Sequence, residues 1–248
     1  MKKISTFNAL HLGDNLVHLH FLRKLAQRYP EIHFTHGAPD EHLAQLYPLW
    51  QDLPNLTIES IGLTGQGAIN AWCGAGGWWY QQPTSSNWCA TYLRWLDHLA
   101  RLMGLDNPIR ETHEMLFDYP ALKHPEPLEP EFDFLIVNSP PQSGQWSGYS
   151  EKAFNGLIEA LCMADKTFVT TSPRRCDITR IGQFSQHARC IIGCVTGPMW
   201  PCLNIWNADT IKLRIHLQDR EHVNMAPNTT HCNSLSLVPE ILKDRGLL

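Results

Sequence analysis

Near the C-terminal third runs the stretch Arg189-Cys190-Ile191-Ile192-Gly193-Cys194-Val195-Thr196-Gly197-Pro198-Met199-Trp200-Pro201-Cys202. Its apolar first half has strand character, and the small residues after it predict a turn into a short helix opened by Gly197 and Pro198. Proline suits the first helical position, where the amide has no partner anyway. Thr196 is placed to cap that helix with its hydroxyl. Amides at a helix start, reached through glycine, make a site for phosphate; the same residues equally describe an ordinary strand–turn–helix joint. Asp14 follows Gly13 after the first apolar run. It reads either as a proton acceptor at the mouth of a sheet or as a plain helix N-cap. Arg174 and Arg175 follow another predicted strand and either supply positive charge to a phosphate or form an exposed surface pair. Ser139 and Gln142 sit in a Ser/Pro/Gln/Gly loop with hydrogen-bonding capacity for phosphate or ribose. Of the thirteen histidines, His11 and His36 follow predicted strands and are the better site candidates.

Other chemistries find less support. The eight cysteines include no Cys-x-x-Cys pair and match no zinc spacing, so no metal site is expected. Cys73, Cys89, Cys162, Cys190, Cys194 and Cys202 have apolar or small neighbours and read mostly as reduced, buried hydrophobes of a cytoplasmic protein. A net charge of -4 and a pI near 6.3 argue against nucleic acid as a partner. No apolar run approaches the length of a bilayer span. The basic N-terminus lacks the apolar core of a signal peptide. No Gly-x-Gly-x-x-Gly follows a strand, which counts against a dinucleotide-dependent oxidoreductase.

The elements that must position these residues alternate. Residues 4–11 read as a weak strand, 16–29 as a helix with Leu16, Leu19, Leu22, Leu25 and Ala26 inward, and 32–36 as a strand. A helix over 39–50, broken near Pro48, and a strand over 56–61 follow. Residues 62–87 form a long glycine- and tryptophan-rich loop, whose tryptophans are expected either to stack on a sugar ring or, for at least half, to be buried. A helix over 88–103, capped by Ser86 or Asn87, ends at Gly104. Prolines 120, 125, 127 and 130 mark a linker and domain boundary within 118–131. The pattern then restarts: strands over 132–138, 167–171, 190–193 and 211–215, helices over 149–163 and 178–187, and a last helix capped by Ser236. Repeated strand–helix–strand units predict α/β architecture with parallel sheets.

Leu12-Gly13-Asp14-Asn15-Leu16, with its helix ending at Arg28-Tyr29-Pro30 and a strand after it, resembles the opening of the heptosyltransferase-like glycosyltransferases (the ADP-heptose:lipopolysaccharide heptosyltransferase family). Ile192-Gly193-Cys194-Val195-Thr196-Gly197-Pro198-Met199 resembles their second-domain motif. The resemblance implies two Rossmann-like domains in a GT-B-type arrangement: an acceptor-side domain over 1–125, and a nucleotide-sugar-binding domain over 126–248 whose C-terminal helix packs back on the first. It implies metal-independent transfer of a sugar from a nucleotide-diphosphate donor to a saccharide or glycolipid hydroxyl, with no further cofactor and with possible peripheral membrane contact. Asp14 would be the base. Ser139, Gln142, Arg174, Arg175, Thr196, Gly197 and Pro198 would hold the donor. Val195 and Trp200 stand where the family has Asp and His, and loop 138–146 lacks its basic residue. A non-catalytic nucleotide-sugar-binding protein on the same fold, or a sugar-nucleotide epimerase of GT-B type, are the alternatives.

Overall fold

The structure, a computed structural model, describes residues 2–82, 87–126, 131–141, 146–172, 177–219 and 223–248, and of Tyr80 only the backbone. The chain divides into two compact units, Met1–Ala121 with Val223–Met225, and Leu122–His222 with Ala226–Leu248.

In the first unit the elements are β1 (Lys2–Phe7), α1 (Leu12–Arg28), β2 (Ile32–Ala38), α2 (Asp40–Leu46), β3 (Leu56–Ser60), β4 (Ile69–Asn70) and α3 (Trp88–Met103). The four strands run parallel in the order β3-β2-β1-β4. The chain builds outward from β1 through β2 and β3, then crosses to the other side of β1 for β4. The switch point, where α/β sheets bind ligands, therefore lies between β1 and β4. Helix α1 forms because Leu16, Leu19, Leu22, Leu25 and Ala26 recur at helical spacing, and all are buried. Helix α3 has the boundaries its sequence predicts. The Asn87 side chain accepts from the Ala90 N–H at 3.1 Å, and Gly104 takes the left-handed conformation (φ 68°) that closes the last turn.

Helix α2 stops at Leu46 and passes into a 3-10 turn, Tyr47–Leu49, which is the break expected near Pro48, a residue that cannot continue an α-helical ladder. Two expectations for this unit are corrected. The 62–87 segment is not all loop: Ile69 and Asn70 pair with Thr6 and Phe7 as β4. Nor are half of its tryptophans buried, since Trp72, Trp78 and Trp79 are each only half-buried. Gly76 and Gly77 take positive φ (60° and 75°), which breaks the segment into short 3-10 turns; no helix forms there to turn the rings inward.

The second unit holds β5 (Phe132–Val137), α4 (Glu151–Met163), β6 (Phe168–Thr170), α5 (Ile178–Phe184), β7 (Ala188–Cys194), β8 (Leu213–Leu217), β9 (Thr229–Cys232) and α6 (Val238–Asp244). All five strands are parallel, in the order β6-β5-β7-β8-β9. Both faces are covered, so the inner strands β5 and β7 are mostly apolar, whereas the edge strand β9 is polar. Phe134, Ile136, Cys190, Ile192, Leu213 and Ile215 pack towards α4, while Leu135, Val137 and Ile191 pack with Ile181 of α5 and with Met199 and Cys202. The C-terminal helix, expected to pack back on the first half, buries Val238 and Leu242 in the core of this second unit. Its cap is not Ser236. Ser234 caps a preceding 3-10 turn, Leu235–Leu237, by accepting the Ser236 N–H. Among the described cysteines Cys162 is exposed and Cys73 half-buried, against the expectation of burial.

Candidate functional site

At the carboxyl end of β1 the chain turns through Asn8–His11 into α1. The N-cap is His11, with no side-chain cap bond. Asp14 therefore lies inside the first turn, and the N-cap alternative for it falls away. Its carboxylate is half-buried. Burial pushes its pKa above the ordinary value, against opposing pulls from His11 and from its own backbone amide. A carboxylate raised in this way is a better proton acceptor near neutral pH than an exposed one.

The turn that presents Asp14 is held from below by a buried polar chain. Asn15 Nδ2 donates to the carbonyls of Leu10 and His11, each at 3.1 Å. Its Oδ1 must then accept, so His36 carries a proton on Nε2 and donates it across 3.0 Å. His36 Nδ1 is thereby left to accept from the Thr6 hydroxyl at 3.0 Å, and the Thr6 oxygen accepts from His18 Nε2 at 3.2 Å. The two imidazoles lie 4.8 Å apart. Burial drives the His36 pKa down to about 3, and burial together with His36 drives His18 well below its ordinary value. Both rings are neutral at physiological pH. His36, expected as a site residue because it follows a strand, instead lies within β2, fully buried, and positions the turn. Of the two, only His11 is exposed near Asp14. Sequence reasoning passed over Asn15, Thr6 and His18; the clue available was a polar residue on the inward face of an otherwise apolar helix.

Tyr92 of α3 closes the same locality. Its phenol is pushed well up by burial and next by nearby Cys73 and Asp14. Cys73 follows β4, whose Ala71 N–H donates to the Phe7 carbonyl at 2.8 Å. Asp14, Tyr92 and the residues after β4 thus surround the switch point of the first unit.

In the second unit, β5 and β7 are neighbours from which the chain builds in opposite directions, so the switch point falls between them. Val137 pairs with Gly193, and this register carries Ser139 and Thr196 beyond the carboxyl ends of the two strands. A side chain at Gly193 would collide with Val137 and Met199. Ser139 Oγ and Thr171 Oγ1 meet at 3.1 Å. Asn138 Oδ1 accepts the Ser172 N–H at 2.9 Å, and the Tyr149 hydroxyl donates to the Asn138 carbonyl at 3.2 Å. Asn138, Thr171 and Tyr149 were not singled out by sequence, although an Asn closing a strand is a recognisable turn-forming signal.

The stretch after β7 departs from expectation. Gly197–Cys202 is a six-residue 3-10 helix, not an α-helix: Pro198 sits in the first turn, where a missing donor costs nothing, but Pro201 lies inside and lacks the donor an α-helical ladder needs there. Thr196 makes no side-chain cap; its hydroxyl turns back to the Cys194 carbonyl at 3.4 Å. Gly197 and Pro198 are half-buried, whereas Val195 and Trp200 are buried. Gln142, Arg174 and Arg175 lie outside the described residues. Among the described residues no group of three or more His, Cys, Asp or Glu could hold a metal ion, and no helix is long and apolar enough to cross a membrane.

No protein-family model matches the chain, and no curated protein matches it in sequence. Solved structures do match in fold. The E. coli heptosyltransferase WaaC with ADP-2-deoxy-2-fluoro heptose aligns at a TM-score of 0.58 and 12% identity, over 98% of this chain and 99% of its own. The glycosyl transferase family 9 structure from Veillonella parvula DSM 2008 aligns at 0.53 and 13%, over 99% and 89%. The dodecameric, iron-containing heptosyltransferase TibC, in complex with ADP-D-beta-D-heptose, aligns at 0.57 and 13%, over 92% and 62%. The α/β fold of this chain is the fold of these heptosyltransferases.

Proposed function

We propose that a chain with this fold and two switch-point crevices is a GT-B-type glycosyltransferase, moving a sugar from a nucleotide-diphosphate donor to a hydroxyl of a saccharide or glycolipid acceptor. The observation that carries this reading is the fold likeness to WaaC over nearly the whole of both chains, together with Asp14 at the switch point of the first unit. In this reading Asp14 takes the proton from the acceptor hydroxyl. Its support is the raised basicity that burial gives it and its place inside the first turn of α1, where His11 and not Asp14 is the N-cap. Ser139, Thr196, Gly197 and Pro198 line the donor crevice of the second unit, and Gln142, Arg174 and Arg175 join them by sequence position. The turn after β7 is too short for a helix dipole to carry the leaving diphosphate, so the arginines bear more of that charge in this proposal. Transfer is metal-independent here, the protein acts in the cytoplasm, and nucleic acid is no partner.

A second reading, a nucleotide-sugar-binding protein without turnover, is favoured by one observation. Val195 and Trp200, in place of the family's acidic residue and histidine, are buried in the core and offer no charge to a donor. Thermal-shift measurements with nucleoside diphosphates and their sugars test the shared donor site, because a ligand bound by the folded state raises apparent stability. Chromatographic detection of released nucleoside diphosphate then separates the two: turnover supports the transferase, and binding without turnover supports the binder.

A further inference from the structure

We infer that the first unit's crevice takes a neutral, unphosphorylated saccharide as acceptor, seated on a wall of fixed tryptophan rings; this rests on the glycosyltransferase reading. Residues 60–93 contain no Asp, Glu, Lys, Arg or His, although 18% of the whole chain is charged. This neutral run begins at the end of β3, supplies β4 at the switch point, and ends within α3 at the residue after Tyr92. Whatever occupies this side of the crevice meets no counter-ion from it.

The run instead presents indole rings. Trp72 follows β4 closely, its backbone N–H donating to Asn70 Oδ1 at 3.0 Å. Its ring lies so close over Gly74 that a Cβ there would collide with it. The ring of Trp78 lies 5.0 Å from that of buried Trp95 and stacks on His98 at 5.9 Å. Trp88 stacks on Tyr92 at 4.5 Å with the planes 18° apart, and Tyr92 is the phenol on which Asp14 acts. Trp72, Trp78, Trp79 and Trp88 are half-buried, while Tyr92 and Trp95 are buried. Each ring with a packed partner is thus fixed before any ligand arrives, so stacking on it costs little ordering entropy. The C–H face of a pyranose suits an indole face, and its hydroxyls suit the amide groups of the neighbouring Gln81 and Gln82. A phosphorylated or carboxylated sugar would surrender hydration at its charge with nothing here to replace it.

The test is a tryptophan-fluorescence titration of the full chain with lactose and maltose, against glucose 6-phosphate and glucuronate, each to about 10 mM, above the millimolar range where weak ligands saturate. The neutral sugars are expected to bind at least tenfold more tightly than the charged ones. Trp79→Ala should weaken them by roughly three- to tenfold, the range for one lost aromatic contact. Trp79→Phe should restore part of the loss, and unchanged thermal midpoints would show that both variants fold. No binding of neutral sugars, equal or tighter binding of the charged ones, indifference to Trp79→Ala, or binding only to phosphatidylcholine vesicles would each overturn the inference. Nucleoside diphosphate binding followed in the same samples keeps the two readings apart. Neutral-sugar binding that depends on Trp79 without any nucleotide binding defeats the transferase and leaves this site standing. Nucleotide turnover stimulated only by charged acceptors does the reverse.

Discussion

Replacing His36 by Gln should make the protein less sensitive to acid. Gln keeps one donor and one acceptor, enough to bridge Asn15 Oδ1 and the Thr6 hydroxyl, but it does not titrate. In the wild type, His36 is neutral when folded because burial holds its pKa near 3; unfolded, it titrates near the ordinary 6.5. A depressed folded pKa means that the unfolded state binds the extra proton as pH falls below 6.5. The contribution to stability is present above that pH and is lost on the way down to the folded pKa. Each such histidine costs about 1.4 kcal/mol per pH unit well below 6.5, and about 2 kcal/mol at pH 5. His18, lowered in the same direction, adds a similar amount, and Gln at position 36 leaves that amount in place. The variant should be destabilised at pH 7 by roughly 1–2 kcal/mol, for the lost ring contact with His18 and imperfect hydrogen bonds. It should regain about 2 kcal/mol relative to wild type between pH 7 and pH 5. Urea unfolding at pH 7, 6 and 5, followed by tryptophan fluorescence, would read this as a convergence of midpoints by roughly 1 M, with a slope near 2 kcal/mol/M. Carboxylate titration is common to both proteins and cancels. A constant difference in midpoint across the three pH values would refute the assignment of a neutral, buried His36.

Asp14→Asn should leave the thermal midpoint nearly unchanged, since no cap is lost, and should lower transfer by roughly 10²–10⁴-fold with donor binding intact; normal transfer by this variant would remove Asp14 as base. The pH–rate profile of the wild type should show its acidic limb above the ordinary carboxylate range, because burial raises that pKa. Gly193→Ala should cost roughly 1–3 kcal/mol by overpacking against Val137 and Met199, and donor affinity, measured by calorimetry, should fall with it because the β5–β7 join is deformed. Transfer should survive exhaustive treatment with EDTA and restoration of metal-free buffer; loss that zinc, magnesium or iron restores would overturn metal independence.

What was legible in the sequence was whatever is decided locally. Helix α3 could be read closely, with only Ser86 or Asn87 left open as its cap, because caps and Gly104 act on their own neighbours in the chain. Strand β5 could be read because Phe132–Val137 is apolar at every position but Asp133, and its last four residues are buried. Pairing between distant segments was not legible. Two residues, Ile69 and Asn70, become β4 only because Thr6 and Phe7 lie beside them, and polar Thr229–Cys232 becomes β9 only against β8. The site divides in the same way. Asp14 was singled out by its place after Gly13, yet that His11 and not Asp14 begins α1 depends on how the Asn8–His11 turn is folded. The α-helix expected after Thr196 failed for a local reason that was visible: Pro201 has no donor for an α-helical ladder. His11 and His36 are the same residue type after similar apolar runs; only the extra length of β2, set by pairing with β1 and β3, encloses one and leaves the other outside.

The Asn15–His36–Thr6–His18 chain has a direction. Every hydrogen in it points one way, from His18 towards the carbonyls of Leu10 and His11, and reversing any single bond would strand a donor against a donor. Protonation of His36 therefore does more than add charge. It turns an acceptor into a donor in the middle of a one-way sequence and breaks the tie to the turn that carries Asp14. Acid would free that turn at a smaller cost than unfolding the whole unit, so the geometry of the Asp14 turn should fail at a higher pH than the fold itself, and the gap between the two measures how firmly the interior grips that turn.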